Sequence, residues 1–210
     1  MRILLTLAFL VPPLTAAGDA TARIFYSKSF PGSTPAYVEI TVDKNGTGEY
    51  KEAPDDDRPM KFKLGVEEVT EIFGLADKLD RFARPLESNL KVANMGMKTF
   101  RYLEGDKKSE AKFNYSLDEN ARLLHDWFER ITESEMHLIN LERTARFDRL
   151  GVNKVLLQLE VSWDRKRLVS LDQFLPMLDR VAKNESYLHM ARERAAQLAD
   201  VFRASRPKAE

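Results

Sequence analysis

At Gly65 the spacing of apolar residues changes period, and that change limits the folds open to this chain more than any single motif. Before it, Val38, Ile40 and Val42 alternate with Tyr37, Glu39 and Thr41, the pattern of a strand with one buried face. After it, Val66, Val69, Ile72, Phe73, Ala76 and Leu79 recur every three or four residues, as on a helix that buries one side. Glu67, Glu68 and Glu71 stand near the start of that helix, where carboxylates suit the positive end of its dipole. The chain therefore mixes strands and helices in blocks.

The strand blocks are bounded by turn chemistry. Ala22 to Phe30 is rich in Ile, Phe and Tyr and ends at Pro31-Gly32-Ser33. Asp43-Lys44-Asn45-Gly46 supplies a hairpin turn, because Asn and Gly tolerate positive φ, and Thr47 to Lys51 is its return strand. Met60 to Leu64 reads as a fourth strand with Phe62 and Leu64 inward. A second hairpin is expected over Lys98 to Leu103, a turn at Glu104-Gly105-Asp106, and Glu110 to Tyr115. Ser116 with Glu119 three residues on predicts a capping box at the next helix.

From that point the spacing is helical. Ala121, Leu124, Phe128 and Ile131 form a stripe with Trp127 beside it, and Leu138, Leu141 and Ala145 continue toward Leu150 until Gly151 breaks the helix. Val152, Val155, Leu156, Leu159 and Trp163 define another face, and a shorter segment from Ser170 contains Pro176, which forces a kink or a late start. Leu188, Ala191, Ala195, Leu198 and Phe202 make a seam for packing on another helix, within the chain in preference to a second copy. The expected fold is α+β: an antiparallel sheet with packed helices in the order ββ-ββ-α-ββ-α, then a C-terminal helical extension. The expected division is a signal peptide at 1–17, an α+β domain at 18–134, a helical extension at 135–205 and a frayed tail at 206–210.

The first residues predict export. Met1-Arg2 is a short positive start, Ile3 to Leu14 is apolar, and Thr15-Ala16-Ala17 offers small residues for cleavage before Gly18. The apolar stretch is about 12 residues, short of the roughly 20 that a spanning helix needs, and Pro12-Pro13 interrupts it. No later segment is long and apolar enough to span, so no integral membrane segment is expected in the mature chain. A periplasmic or extracellular location follows. The chain has no cysteine among its 210 residues, so stability after export must come from burial without disulfides. Lys and Arg number 33 against 33 Asp and Glu, which leaves no excess charge for phosphate neutralisation and argues against nucleic acid as partner.

Several short motifs resemble a group of small exported bacterial proteins. They are Lys91-Val92-Ala93, Gly96, Lys98-Thr99 and Phe113-Asn114-Tyr115-Ser116, together with the Tyr37 to Tyr50 hairpin turning at Asn45-Gly46. The resemblance spans about residues 36–135. It implies a strand-strand-helix-strand-strand-helix domain behind a signal peptide. That group carries no assigned activity, so it transfers no catalytic or binding residue.

The chain contains none of the common catalytic signatures. His125, His137 and His189 are the three histidines; none has the i, i+4 partner of a zinc-binding helix, and solvated helix surface is the expected setting of each. Asp55-Asp56-Asp57 lacks the alternating spacing and glycine of a calcium loop. Asp77 with Asp80, and Glu67 with Glu71, fall one turn apart and read as helix surface. No Gly-x-Ser-x-Gly elbow and no Gly-rich phosphate loop occurs, and no cofactor or metal is expected. Arg165-Lys166-Arg167 meets Arg143, Arg146 and Arg149 in a positive patch only if the two helices pair to bring them together; acidic residues balance the basic ones over this region, and a solvated, salt-bridged face is the expected reading. The candidate binding residues are Asn94, Met95, Gly96 and Met97, a small Met-bearing loop beside a hairpin. The expected function is a non-catalytic protein-interaction module of the cell envelope or periplasm, with another envelope protein as partner. The alternative is a small envelope hydrolase or metal-dependent enzyme in which a histidine and carboxylates converge in space.

Overall fold

The computed structural model describes residues 21–205. The expected signal peptide, its cleavage site and the expected tail at 206–210 lie outside the described residues. Strands β1 (Arg23–Ser29), β2 (Tyr37–Asp43), β3 (Thr47–Lys51) and β4 (Met60–Lys63) come first. Helix α1 (Val66–Lys78) follows, then a 3-10 turn at Asp80–Phe82 and strands β5 (Met97–Glu104) and β6 (Lys107–Phe113). The rest is helical: α2 (Glu119–Phe147), α3 (Val152–Asp164), a 3-10 segment at Leu171–Phe174, α4 (Leu175–Lys183) and α5 (His189–Ala204). The architecture is α+β with a C-terminal helical part, as the periodicity predicts.

The strands form one six-stranded sheet in the order β4-β3-β2-β1-β5-β6, antiparallel at every pair. Strand β1 is the join between the two hairpin groups, pairing β2 through Tyr26–Ile40 and β5 through Tyr26–Phe100. Its inward residues Ile24 and Tyr26 meet Val38, Ile40, Val42, Phe100 and Tyr102 in one core, to which α1 adds Ile72 and Ala76 and α2 adds Leu124, Phe128 and Ile131. Tyr26 and Phe128 stack with ring centroids 4.5 Å apart, which ties the middle of the sheet to α2. Glycine takes two special places on the first hairpins. Gly46 has φ +82° in the β2–β3 turn, where Asp43 Oδ1 accepts from the amides of Asn45 and Thr47. Gly48 leaves the space that the Phe62 ring fills, since a Cβ there would lie 2.1 Å from Phe62 Cζ.

A second core lies in the helical part. Leu141 and Ala145 of α2, Val152, Leu156 and Leu159 of α3, Leu178 and Val181 of α4, and Ala191, Ala195, Leu198 and Phe202 of α5 build it. The expected α5 seam is thus buried within the chain from Ala191 to Phe202, while Leu188 at its start is exposed. The small Ala191 and Ala195 let α5 approach its neighbours closely, and Phe202 closes the end against Trp163 and Phe174. Helix α2 runs unbroken through both cores, so residue 134 falls inside it.

Two local expectations are corrected, and two that were open are settled. The α2 N-cap is Asp118, not Ser116 with Glu119: the Asp118 side chain accepts from the amides of Asn120 and Ala121, and Arg84 Nη2 reaches it at 2.5 Å. A charged cap beside an arginine outcompetes a hydroxyl two residues earlier, and Ser116 Oγ accepts from the Asp118 amide instead. The β5–β6 hairpin turns at Gly105-Asp106, with Glu104 paired to Lys107, so β6 starts three residues before the expected Glu110. Pro176 produces the late start: the 3-10 segment Leu171–Phe174 leads in, and the proline stands in the first turn of α4, where its missing N–H costs nothing. Finally, α2 and α3 form an antiparallel hairpin, which puts Arg143, Arg146 and Arg149 at the opposite end from Arg165-Lys166-Arg167. Arg167 turns instead to Asp126 at 2.6 Å and Glu133 at 3.0 Å, and the basic patch does not assemble.

Candidate functional site

The loop that carries Asn94, Met95, Gly96 and Met97 leads from the 3-10 turn after α1 into β5, and residues 83–96 have no regular secondary structure. It is nonetheless pinned along its length. Leu86 is buried in the sheet core. The Glu87 carboxylate accepts from the Asn114 amide at 2.6 Å and from the Ser88 amide at 2.9 Å, and the Ser88 amide also donates to the Tyr115 carbonyl at 2.8 Å. The amide of Asn114 beside it holds the Glu87 carboxyl below its ordinary pKa.

Two side chains fix the tip. Asn114 Oδ1 accepts from the Met95 amide at 2.7 Å, while Asn114 Nδ2 donates to the Ala93 carbonyl at 2.9 Å. Lys98, on the inner face of β5 and almost fully buried, donates its Nζ to the carbonyls of Met95 (3.1 Å), Gly96 (2.9 Å) and Asn114 (2.8 Å). All three ammonium protons are thereby used. Burial first, and Lys28 second, push the Lys98 pKa down. Lys28 faces Lys98 across the β1–β5 pair, and α2 answers that like-charge pairing with Glu129, whose carboxylate accepts from Lys28 Nζ at 3.0 Å and 3.2 Å. Gly96 has φ +86° and lies against Phe30, where a Cβ would come within 2.8 Å of Phe30 Cβ.

With the backbone held, the side chains face outward. Leu90, Val92, Met95 and Met97 are between 39% and 53% exposed, four large apolar groups within eight residues. Sequence reasoning found Met95 and Met97 but missed Leu90 and Val92, and it missed Lys98 and Asn114, which hold the tip. The Lys91-Val92-Ala93, Lys98-Thr99 and Phe113-Asn114 segments were the available signal, since all of them converge on this loop.

The two sheet edges offer less. Strand β4 has four residues including Lys61 and Lys63, and β6 carries Lys107, Lys108 and Lys112. The shortness of β4 and the lysines on both edges resist the addition of a further strand.

The histidines fall in three different settings. His189 is exposed beside Glu193 and fits the expected solvated surface. His125 does not: its Nδ1 lies 3.1 Å from Tyr26 Oη, which donates to Glu129 at 3.2 Å, and burial drives its pKa down to about 4. His137 lines a cleft of about 290 Å³ between the 33–35 loop, α2 and α3, with Lys28, Glu129, Glu133 and Arg167 around it. There His137 Nε2 is 2.8 Å from Ser162 Oγ, and Ser162 Oγ donates to Glu133 Oε1 at 2.6 Å. This order differs from a nucleophile–base–acid relay. The serine is the middle member, its only proton goes to the carboxylate, and His137 therefore donates to it. Ser162 itself is buried, and Glu133 is already paired with Arg167. The arrangement ties α2 to α3. Among the described residues no group of three or more His, Asp or Glu side chains is placed to hold a metal ion. Asp77 pairs with Arg81 and Asp80 with Arg84, while Asp56 Oδ1 caps the Arg58 amide. No protein-family model matches the chain, and no curated protein matches it in sequence.

Proposed function

We propose that the chain is a non-catalytic, exported protein-interaction module that binds another envelope protein through the loop at 88–97. The observation that carries this reading is the combination at that loop of a backbone held by Lys98, Asn114 and Glu87 with outward Leu90, Val92, Met95 and Met97. A loop ordered before binding loses little conformational freedom on association, so its apolar area converts to affinity at lower cost. Met side chains adapt to an irregular partner surface. Export rests on the Arg2, Ile3 to Leu14 and Thr15-Ala16-Ala17 pattern. The absence from the described residues of a helix able to cross a membrane is compatible with it.

The alternative, a small envelope hydrolase, draws on the His137 cleft. Its geometry favours it less, because Ser162 is buried and hydrogen-bonded as donor to Glu133. A tagged mature chain, cross-linked in native envelope extract at low and high salt, tests the proposal. A single partner that survives high salt with the wild type and is lost from Leu90→Asp/Met95→Asp, with the circular dichroism spectrum unchanged, is the expected result. A partner retained equally by the double variant overturns the assignment of this loop.

A further inference from the structure

Glu135 has no exposed surface, although it is an acid in the middle of α2 where the two cores meet. Its Oε1 accepts from Gln173 Nε2 at 2.9 Å, and Gln173 belongs to the 3-10 segment that leads into α4. The other two polar atoms of the pair, Glu135 Oε2 and Gln173 Oε1, are both enclosed and both lack a hydrogen-bond partner. Two enclosed acceptors on one hydrogen-bonded pair of side chains are costly, since each has left water without replacement. A proton on Glu135 Oε2 turns that atom into a donor, and Gln173 Oε1, on the amide already bound to the same carboxyl group, is the acceptor left open to it. A carboxylic acid facing a primary amide closes a ring of two hydrogen bonds: amide N–H to acid carbonyl, and acid O–H to amide carbonyl.

The surroundings favour the neutral acid. The titratable groups that face Glu135 are Glu142, two turns along the same helix, and Tyr50 on β3, whose hydroxyl is donated to Glu52. Neither is a cation, and Gln173 is neutral. Burial, with Glu142 adding to it against the Gln173 contact, raises the Glu135 carboxyl to about 7.

We propose that Glu135 is carried as the neutral acid in a reciprocal pair with Gln173, and that loss of this proton releases the segment Leu171–Lys183 from α2. The pair is a proton-operated latch between the long helix and the C-terminal helices. It is independent of the loop at 88–97, so failure of either reading leaves the other intact.

The test uses the full mature chain. Side-chain carboxyl resonances of a 13C-glutamate-labelled sample are followed with pH, and amide exchange is measured across residues 171–183 as protection factors corrected for intrinsic rate. The expected result is a Glu135 resonance that titrates well above the ordinary glutamate range. Protection at 171–183 is expected to fall at least about tenfold from pH about 5.5 to about 8.5. Glu135→Gln replaces the acid by an amide that makes the same two bonds without a titrating proton, and its protection is expected to stay level over that range. A Glu135 resonance titrating in the ordinary glutamate range overturns the proposal, whatever the variant does. So does an equal pH response of wild type and Glu135→Gln.

Discussion

Lys98 Nζ donates to the carbonyl oxygen of Asn114 at 2.8 Å, and this bond joins the start of β5 to the end of β6 at the point where the 83–96 loop rejoins the sheet. The same ammonium satisfies Met95 and Gly96. Lys98→Met keeps most of the stem and removes the only donor these three carbonyls share. It is expected to lower stability by about 1–3 kcal/mol. It is also expected to raise the exchange of the Met95 and Gly96 amides, because their carbonyl anchors are gone. Chemical denaturation with amide exchange checks both. A stability unchanged from wild type would show that the buried cation is dispensable.

Gly48 tests the packing of the first hairpins. The Phe62 ring from β4 occupies the position that a side chain at 48 requires. Gly48→Ala is expected to cost about 1–3 kcal/mol through displacement of that ring, even though the strand conformation suits alanine. The double substitution Gly48→Ala/Phe62→Leu is expected to recover part of the loss. Urea denaturation of the three variants measures it, and strict additivity would count against a steric cause.

Much of this fold is legible in the sequence because period reports which face of an element is buried. The Val38-Ile40-Val42 alternation, the Asn45-Gly46 turn and the Val69-Ile72-Ala76 stripe each specify a local shape without reference to distant residues. The histidines show where this stops. His125 meets Tyr26, 99 residues away in sequence, and His137 meets Ser162 across 25 residues. Periodicity places them on faces of α2 but does not say which strand or helix lies opposite. The loop is an intermediate case. Met95 and Met97 stand out by type, whereas Lys98 is only the first residue of an expected strand until the backbone of the loop is seen folded over it. Ser116 misled for a different reason: the capping box is a local signal, and the Asp118–Arg84 pair across 34 residues outweighs it.

The buried titratable groups give opposite pH slopes. His125 has its folded pKa lowered to about 4 from the ordinary 6.5, so the unfolded chain binds the extra proton between those values and stability is lost as pH falls through that window. Glu135 has its folded pKa raised to about 7 from 4.5, so the folded chain binds the extra proton and stability is lost as pH rises from about 4.5 toward 7. Each amounts to at most about 3 kcal/mol. Between pH about 4.5 and 6.5 the two slopes offset, and the wild type is expected to show a shallow stability profile. Glu135→Gln is expected to leave the His125 slope alone, with stability rising with pH, and His125→Gln the reverse. Denaturation midpoints at several pH values separate them. A steep wild-type profile unaltered by either variant would show that other groups set it.

Truncation after Ser134 tests whether the two cores fold separately. Every buried member of the sheet core except Val169 precedes residue 132, so a fragment of residues 21–134 retains nearly all of that core. It loses the Val169 side chain and the bond from the Val169 amide to Ser134 Oγ, which are worth about 2–4 kcal/mol together. It also exposes the surface of β4 against which Ser170 Oγ now donates to the Lys63 carbonyl. The fragment is expected to fold cooperatively, with mixed α and β circular dichroism and a lower melting temperature than the 21–205 chain. The complementary fragment 135–205 contains only the second half of α2 and is expected to remain largely unfolded alone, since its core relies on Leu138, Leu141 and Ala145 being held on a formed helix. If 21–134 is unfolded, the long helix is a shared foundation: its second half is then required to order the first.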